Sequence, residues 1–243
     1  MLITLLYLPE IILILSAVIP AVILIRKVYQ EDRLDKEPMW LIWSLVKWGI
    51  LSTFIAVVLE TVGSAILSSF VEVDSILYNI IMYFGIVAIS EEGAKYYLLR
   101  KKTWDSPEFN CSFDGIVYAV TVSLGFALWE NISYVFRYGL STALVRAVTA
   151  VPGHASFGVF MGVWYGIARK YHNWGNRTLE KTADVLTLLV PVFVHGAYDF
   201  ICTYEGALTY GPLLFLAFVA LMFLSARRTV KKASRNDEII RWW

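Results

Sequence analysis

The sequence predicts an all-α membrane protein, a polytopic bundle of about seven transmembrane helices. Hydrophobic residues make up 58% of its 243 residues, and the mean hydropathy is +0.62. Charged residues make up 17%, compared with about 25% in a typical soluble domain. Seven apolar stretches reach roughly 20 residues, the length that an α-helix needs to cross the hydrocarbon core. We therefore expect residues 1–243 to form a single integral-membrane domain.

The seven predicted spans are joined by short loops, none long enough for a separate soluble domain. The first apolar run lacks the basic region that precedes it in a signal peptide, so we interpret it as a membrane-spanning helix. The spans cover approximately residues 2–25, 39–62, 76–99, 113–136, 144–168, 183–203 and 208–227.

The distribution of basic residues predicts the orientation of the bundle. Most of the 21 Lys and Arg residues lie in alternate loops, after the first, third and fifth spans, and in the C-terminal tail. The other loops contain only Arg137 and Arg146. We expect the N-terminus outside, the C-terminus in the cytoplasm, and a multi-pass position in the plasma membrane. The predicted surroundings are a lipid bilayer, and nothing in the sequence indicates nucleic-acid binding.

Two adjacent acids, Glu91 and Glu92, lie inside the third predicted span. An ionised carboxylate in the hydrocarbon core costs on the order of 3 kcal/mol by insertion scales, and two adjacent carboxylates also repel each other. Lys95 lies one helical turn after Glu91 and can neutralise it, whereas Glu92 points about 100° away with no evident partner on its own helix. The pair predicts a functional site, although a structural Glu91–Lys95 ion pair is the simpler alternative.

Other spans also contribute ionisable residues to the membrane interior. Asp199 lies four residues after His195, so it can hydrogen-bond the imidazole and fix its orientation. A third histidine, His172, lies in a basic loop where we expect it to be solvated. The candidate catalytic residues are Glu91, Glu92, Glu130, His154, His195 and Asp199, with Lys95, Phe126 and Asn131 in support.

The fifth predicted span carries a strip of small residues below His154. Gly158, Gly162 and Gly166 follow at intervals of four, a spacing that lets another helix approach closely. Packing within the fold is favoured over docking of a substrate helix. Pro152-Gly153 is expected to open the helix just before His154. Residue counting places His154 in the outer half of the bilayer and Glu91 nearer the middle, so a shared, outward-opening cavity is expected but does not follow from depth alone.

Four motifs resemble those of the PrsW-type intramembrane proteases. Glu91-Glu92-Gly-Ala-Lys95 resembles EExxK, and Phe126-Ala-Leu-Trp-Glu130 resembles FxxxE. His154 with its small residues and His195-Gly-Ala-Tyr-Asp199 resemble the two later histidine motifs. The loop Asp35-Lys36-Glu37-Pro38 is similar to the acidic loop of that family. The related CAAX prenyl endopeptidases carry EExxxR and FxxxH, so Lys95 and Glu130 favour the PrsW branch.

This resemblance implies an integral membrane peptidase that acts on a membrane-anchored protein. The named bacterial member of the family makes the first cut in a membrane-anchored anti-sigma factor, so the resemblance also implies a role in signalling. Two rival classes remain, a proton-coupled transporter and a non-catalytic receptor or scaffold, because intramembrane acids and histidines also form proton relays.

Two mechanisms fit the candidate residues, since no Ser-His-Asp or Cys-His set is present. In the first, one glutamate of the pair deprotonates a water and a histidine donates to the oxyanion. In the second, a zinc ion activates the water. The candidate zinc ligands are Glu92, Glu130, His154 and His195. We favour the metal-free arrangement, and the sequence has no HExxH motif to decide between the two.

Overall fold

The computed structural model describes residues 8–73, 75–204 and 210–240, and these form a bundle that crosses the membrane seven times. The helices are α1 (Leu8–Glu31), α2 (Met39–Ser68), α3 (Ile76–Thr103), α4 (Asp114–Tyr138), α5 (Leu140–Val148), α6 (Ala150–Asn173), α7 (Arg177–Tyr204) and α8 (Gly211–Arg235). Within the described ranges the only strand-like feature is an isolated bridge between Cys111 and Ile239. The all-α membrane bundle predicted from the sequence is confirmed.

The helices correspond to the seven predicted spans, and several run further than the apolar stretches do. The parts of the predicted spans at residues 2–7 and 208–209 lie outside the described residues. At the predicted cytoplasmic side, α1, α3, α6 and α8 continue into their basic segments, because Lys and Arg have good helix propensity and can extend their charges into water.

The fifth predicted span is two helices, α5 and α6, rather than one. The break lies at Thr149, whose backbone has φ −118° and ψ −71°. A break was expected at Pro152-Gly153, and this expectation is wrong because the break lies before those residues. Pro152 lies in the first turn of α6, where its missing N–H would have no intrahelical partner, so proline is tolerated there.

The fourth helix, α4, is the centre of the bundle. In its most apolar window 78% of the residues are buried, compared with 11% in α1 and 22% in α2 and in α7. Its most extensive contacts are with α1, α2 and α6. The outer helices therefore present their apolar side chains to lipid, while α4 supplies the packed core on which the site rests.

Glycines let the backbones of α4 and α6 come into direct contact. A Cβ on Gly158 would lie 2.8 Å from the Cα of Val120, and one on Gly162 would lie 2.5 Å from the Cα of Ile116. A Cβ on Gly166 would lie 2.3 Å from the carbonyl oxygen of Ser112. The strip below His154 is a packing surface within the fold, as the favoured interpretation held.

The helix that carries the glutamate pair contains an irregular turn. Ile81–Val87 form a π-helical segment between two α-helical parts of α3, and Ala88–Thr103 follows directly. Gly196 of α7 packs here, since a Cβ on it would lie 2.5 Å from the ring of Phe84. Such segments are frequent at functional sites because they change the direction of the following side chains. This contact brings α7 close to α3 beside the glutamates.

The glycine contacts predict a loss of stability on addition of a single methyl group. Gly162→Ala should destabilise the protein by about 1–3 kcal/mol, a fall in Tm of roughly 3–10 °C, because the methyl group meets backbone atoms that cannot move aside. Gly93→Ala is the matched control, since a Cβ at Gly93 meets nothing within 4 Å. Equal thermal unfolding curves for the two variants in the same detergent would contradict this account of the packing.

Candidate active site

All six candidate catalytic residues lie in one cluster between four helices. Helix α3 contributes Glu91 and Glu92, α4 contributes Glu130, α6 contributes His154, and α7 contributes His195 and Asp199. A continuous set of contacts below 4 Å joins them. Residue counting placed Glu91 and His154 at different depths in the bilayer, but in the folded protein they lie in the same cluster.

Lys95 is the residue that joins the two glutamates. Its Nζ lies 3.0 Å from Oε2 of Glu91 and 2.8 Å from Oε1 of Glu92, and its side chain is fully buried. The expectation that Glu92 has no partner on its own helix is wrong. Residues three apart on a helix are neighbours as well as residues four apart, so a single ammonium reaches both carboxylates.

The same ammonium fixes the protonation of His154. Lys95 Nζ lies 3.3 Å from Nδ1 of His154 and 3.9 Å from the ring centroid of Phe126. An ammonium only donates, so Nδ1 of the imidazole accepts and its proton resides on Nε2. That Nε2 lies 2.8 Å from Oε2 of Glu130. Phe126 thus contributes a cation–π contact, and the motif that contains Phe126 and Glu130 contacts both Lys95 and His154.

Glu130 has a second partner that sequence reasoning missed. Arg146 on α5 places Nη2 2.8 Å from Oε2 of Glu130 and donates from Nε to the side-chain carbonyl of Asn131, at 2.6 Å. We expected Arg146 in an outer loop, although position 146 also falls within the predicted span 144–168. The signal available was an arginine inside the apolar helical stretch of residues 140–148, where an unpaired charge is unfavourable.

His195 is surrounded by carboxylates. Its Nδ1 lies 2.8 Å from Glu92, and its Nε2 lies 3.4 Å from Asp199 and 3.9 Å from Glu91. The imidazole also stacks on Phe157, with ring centroids 4.5 Å apart and planes 17° apart. The predicted pairing of His195 with Asp199 is present, and Glu92 is an additional partner on the other ring nitrogen.

A cavity of about 1020 Å³ gives access to the cluster. Five of the candidates line it: Glu91, Glu130, His154, His195 and Asp199. Glu92 and Lys95 lie behind its wall, each 0% exposed. The cavity extends towards Arg137 near the end of α4 and Pro212 near the start of α8, the side predicted to be outside.

Glu60 is a further acid that sequence reasoning missed. It lies on α2 and lines the same cavity as Glu91 and Glu130. The signal was present in the sequence, since Glu60 falls within the predicted span 39–62, where the argument used for Glu91 applies equally. Helix α2 therefore also contributes an acid to the walls of the cavity.

Three residues of the cluster have the spacing of metal ligands. Glu91, Glu92 and His154 each offer a ligand atom, and these atoms lie within 4.8 Å of one another. The expected set contained Glu92 and His154, whereas Glu130 and His195 are not members of this group. Lys95 Nζ contacts the same three residues at 3.3 Å or less. The donors therefore suit a metal ion only when the Lys95 ammonium is displaced.

His172 lies outside this cluster, and its expected solvation is wrong. Its Nδ1 lies 2.9 Å from Glu180, and its ring packs edge-on against Trp104 with centroids 5.3 Å apart. The imidazole is half-buried in a structural contact at the end of α6, because the start of α7 folds back over it.

Known proteins support the interpretation of these motifs. Residues 37–225 match the sequence profile of the family described as PrsW family intramembrane metalloprotease. Protease PrsW of Oceanobacillus iheyensis is 35% identical over 93% of this chain and 98% of its own length. Protease PrsW of Bacillus subtilis is 32% identical over 92% and 97%, and that of Clostridioides difficile is 28% identical over 87% of each chain. No solved structure gives a significant match.

Removal of the shared ammonium should cause a large loss of stability, which a second substitution should partly restore. Lys95→Met leaves two buried carboxylates without their cation and should cost about 3–5 kcal/mol. Adding Glu92→Gln removes one of those charges, so the double variant should be more stable than Lys95→Met alone, as measured by thermal unfolding in detergent. Additive effects of the two substitutions would show that Lys95 and Glu92 do not interact.

Proposed function

This chain belongs to the PrsW family of intramembrane proteases, and we propose that it hydrolyses a peptide bond of a membrane-anchored protein with water activated by Glu91. The protein is a multi-pass membrane peptidase. The observation that supports the proposed chemistry is a cavity within the bundle that Glu91 lines together with two imidazoles, His154 and His195. Peptide hydrolysis needs a base for the water and a donor for the oxyanion.

The difference in burial between the two glutamates favours Glu91 as the base. Glu91 is 8% exposed and lines the cavity, whereas Glu92 is 0% exposed and lies behind it. A general base must come within hydrogen-bond reach of its water. We therefore assign the base to Glu91 and a positioning role to Glu92, which contacts Lys95 and His195 at 2.8 Å each.

His154 is the proposed donor to the oxyanion. Its Nε2–H faces the cavity wall formed by Glu130, and its Nδ1 accepts from Lys95, which keeps the proton on Nε2. A substrate carbonyl that enters beside Glu130 can take this hydrogen bond as negative charge develops on its oxygen. Glu130 then shares the Nε2–H donor of His154 with the substrate carbonyl. Its ion pair with Arg146 keeps the Glu130 carboxylate in place.

The proposed reaction conserves its protons within the cluster. Glu91 removes a proton from water, and the hydroxide adds to the carbonyl carbon of the scissile bond. The tetrahedral intermediate collapses with cleavage of the C–N bond, and Glu91 returns its proton to the leaving amine. His195, held by Glu92 and Asp199 and stacked on Phe157, fixes the wall of the cavity beside Glu91.

A metal-dependent route is the alternative, and the family description names a metalloprotease. Glu91, Glu92 and His154 would hold the ion, which would supply an activated water when bound. In the described arrangement Lys95 already provides a cation to those three residues. We favour the metal-free route because the ammonium already contacts both carboxylates and leaves Glu91 at the cavity.

The location of the site favours a substrate that is itself held in the membrane. The cavity lies among helices long and apolar enough to cross the bilayer, and it extends towards one end of the bundle. A single-pass protein can bring a peptide bond near its membrane segment to this position. We propose a membrane-anchored regulatory protein such as an anti-sigma factor as the substrate, which would place the enzyme in a signalling pathway.

Replacement of the two glutamates should separate the base from its neighbour. Glu91→Gln should reduce cleavage of tagged single-pass proteins in proteoliposomes by roughly 10²–10⁴-fold, because general-base catalysis is lost. Glu92→Gln should lose less, because its carboxylate positions His195. Glu72→Gln, an exposed acid outside the cavity, serves as the control. Full activity of Glu91→Gln would exclude Glu91 as the base.

Removal of metal ions should leave cleavage unchanged. Wild-type protein treated with a strong chelator and shown by elemental analysis to hold substoichiometric metal should cleave at its initial rate. Activity that disappears with the metal and returns on addition of Zn²⁺ would establish the metal-dependent alternative. Ion flux across liposomes with no cleavage of any substrate would favour a transporter, and binding without cleavage would favour a receptor.

A further inference from the structure

A second cavity, of about 370 Å³, lies between α1, α6 and α8. Most of its polar residues lie towards the C-terminal ends of α1 and α8, on the side predicted to be cytoplasmic. There the hydroxyl of Ser234 donates to the backbone carbonyl of Glu31 at 2.5 Å, which holds the two helix ends together. The volume is within the range of small-molecule pockets, about 300–1,000 Å³. The cavity is therefore large enough for part of a ligand.

Helix α6 separates this cavity from the candidate active site. Ala155, Ser156 and Val159 line the second cavity, whereas His154 and Phe157 line the cavity that contains the catalytic candidates. Because successive residues of an α-helix are turned by about 100°, the two sets lie on different faces of α6. None of the described residues that line the second cavity lines the first. A ligand in the second cavity would thus lie on the other side of α6 from the catalytic candidates.

The rim of the second cavity carries an excess of positive charge. The rim is formed by the polar lining residues of α1 and α8: Lys27, Gln30, Glu31, Arg227 and Lys231. Its three cations are exposed, and none takes part in an ion pair within the part of the chain that the structure describes. The carboxylate of Glu31 lies 3.9 Å from Arg33, a residue outside the rim. The rim therefore offers three cations and one amide to an anionic ligand.

The rest of the lining is mostly apolar, and it adjoins the lipid-facing surface of the bundle. The apolar lining residues are Leu24, Val28, Ala155, Val159, Phe223, Ala226 and Val230. Those on α6, together with Ala226 and Val230, are buried and form the inner wall. Two chain neighbours of the lining residues, Ile23 and Leu224, are 46% and 44% exposed. Because both belong to helices that cross the membrane, their side chains face the acyl chains of the bilayer.

We propose that this cavity binds an anionic phospholipid of the leaflet predicted to be cytoplasmic. The lipid phosphate would lie among Lys27, Arg227 and Lys231, with Gln30 as a further donor, and an acyl chain would follow the apolar wall. Lys and Arg bind phosphate through charge-assisted hydrogen bonds. Basic pockets between membrane helices on the cytoplasmic side suit anionic lipid headgroups. A soluble acidic partner fits less well, because most of the lining is apolar and adjoins lipid.

The test is native mass spectrometry of delipidated, full-length protein in a non-ionic detergent, titrated with phosphatidylglycerol or with phosphatidylcholine of the same acyl chains. Wild type should bind one molecule of phosphatidylglycerol about tenfold more tightly than phosphatidylcholine, whose quaternary ammonium offsets its phosphate. Equal affinity for the two lipids would overturn the proposal. Inorganic phosphate at the concentration of the lipid should not displace phosphatidylglycerol, and displacement would show a site for free phosphate instead.

Two triple variants with the same change in net charge locate the binding site. The first replaces the three cations of the rim: Lys27→Gln, Arg227→Gln and Lys231→Gln. Its affinity for phosphatidylglycerol should fall by roughly 10–100-fold, because each Lys or Arg near a headgroup adds to the attraction. The control replaces exposed basic residues on the same helices that do not line the cavity: Arg26→Gln, Arg228→Gln and Lys232→Gln. The control should keep most of the affinity. Equal losses in the two variants would show that net charge alone attracts the lipid and would overturn the proposal.

Discussion

The site depends on one buried ammonium group. Lys95 contacts Glu91, Glu92 and His154, and its side chain is fully buried. Without it, two adjacent carboxylates would lie in a low-dielectric interior with no compensating charge on their own helix. Its contact with His154 also determines which ring nitrogen carries the proton. Lys95 therefore partly compensates the charge of the two carboxylates, orients them and selects the tautomer of the imidazole.

The packing of the bundle brings the partners of Lys95 within reach. Glycines on α6 let its backbone lie directly against α4, which places His154 beside Glu130. Gly196 lets α7 approach the π-helical part of α3, so that His195 meets Glu92. These contacts use small residues because apolar helices in lipid gain their association from close packing rather than from the hydrophobic effect.

The sequence was sufficient to predict the spans and six candidate residues that lie in one cluster, but not the contacts between them. Hydropathy and the spacing of motifs predicted seven crossings and all six candidate residues, because each intramembrane charge is costly and therefore conspicuous. The partner of Glu92 was missed because only the spacing of four was considered on α3. Arg146 and the break at Thr149 were missed because a continuous apolar stretch does not reveal where two helices divide. Glu60 could have been predicted without the structure, by applying the same argument about intramembrane charges to the span that forms α2.

The position of the Lys95 ammonium is the central claim, and a high-resolution experimental map of the protein in a lipid nanodisc or crystal tests it most directly. With diffraction data collected at the zinc absorption edge, we expect the Lys95 Nζ density within about 3.3 Å of Glu91, Glu92 and His154 and no anomalous peak between them. An anomalous peak bound by those three residues, with the lysine side chain turned away, would contradict the account.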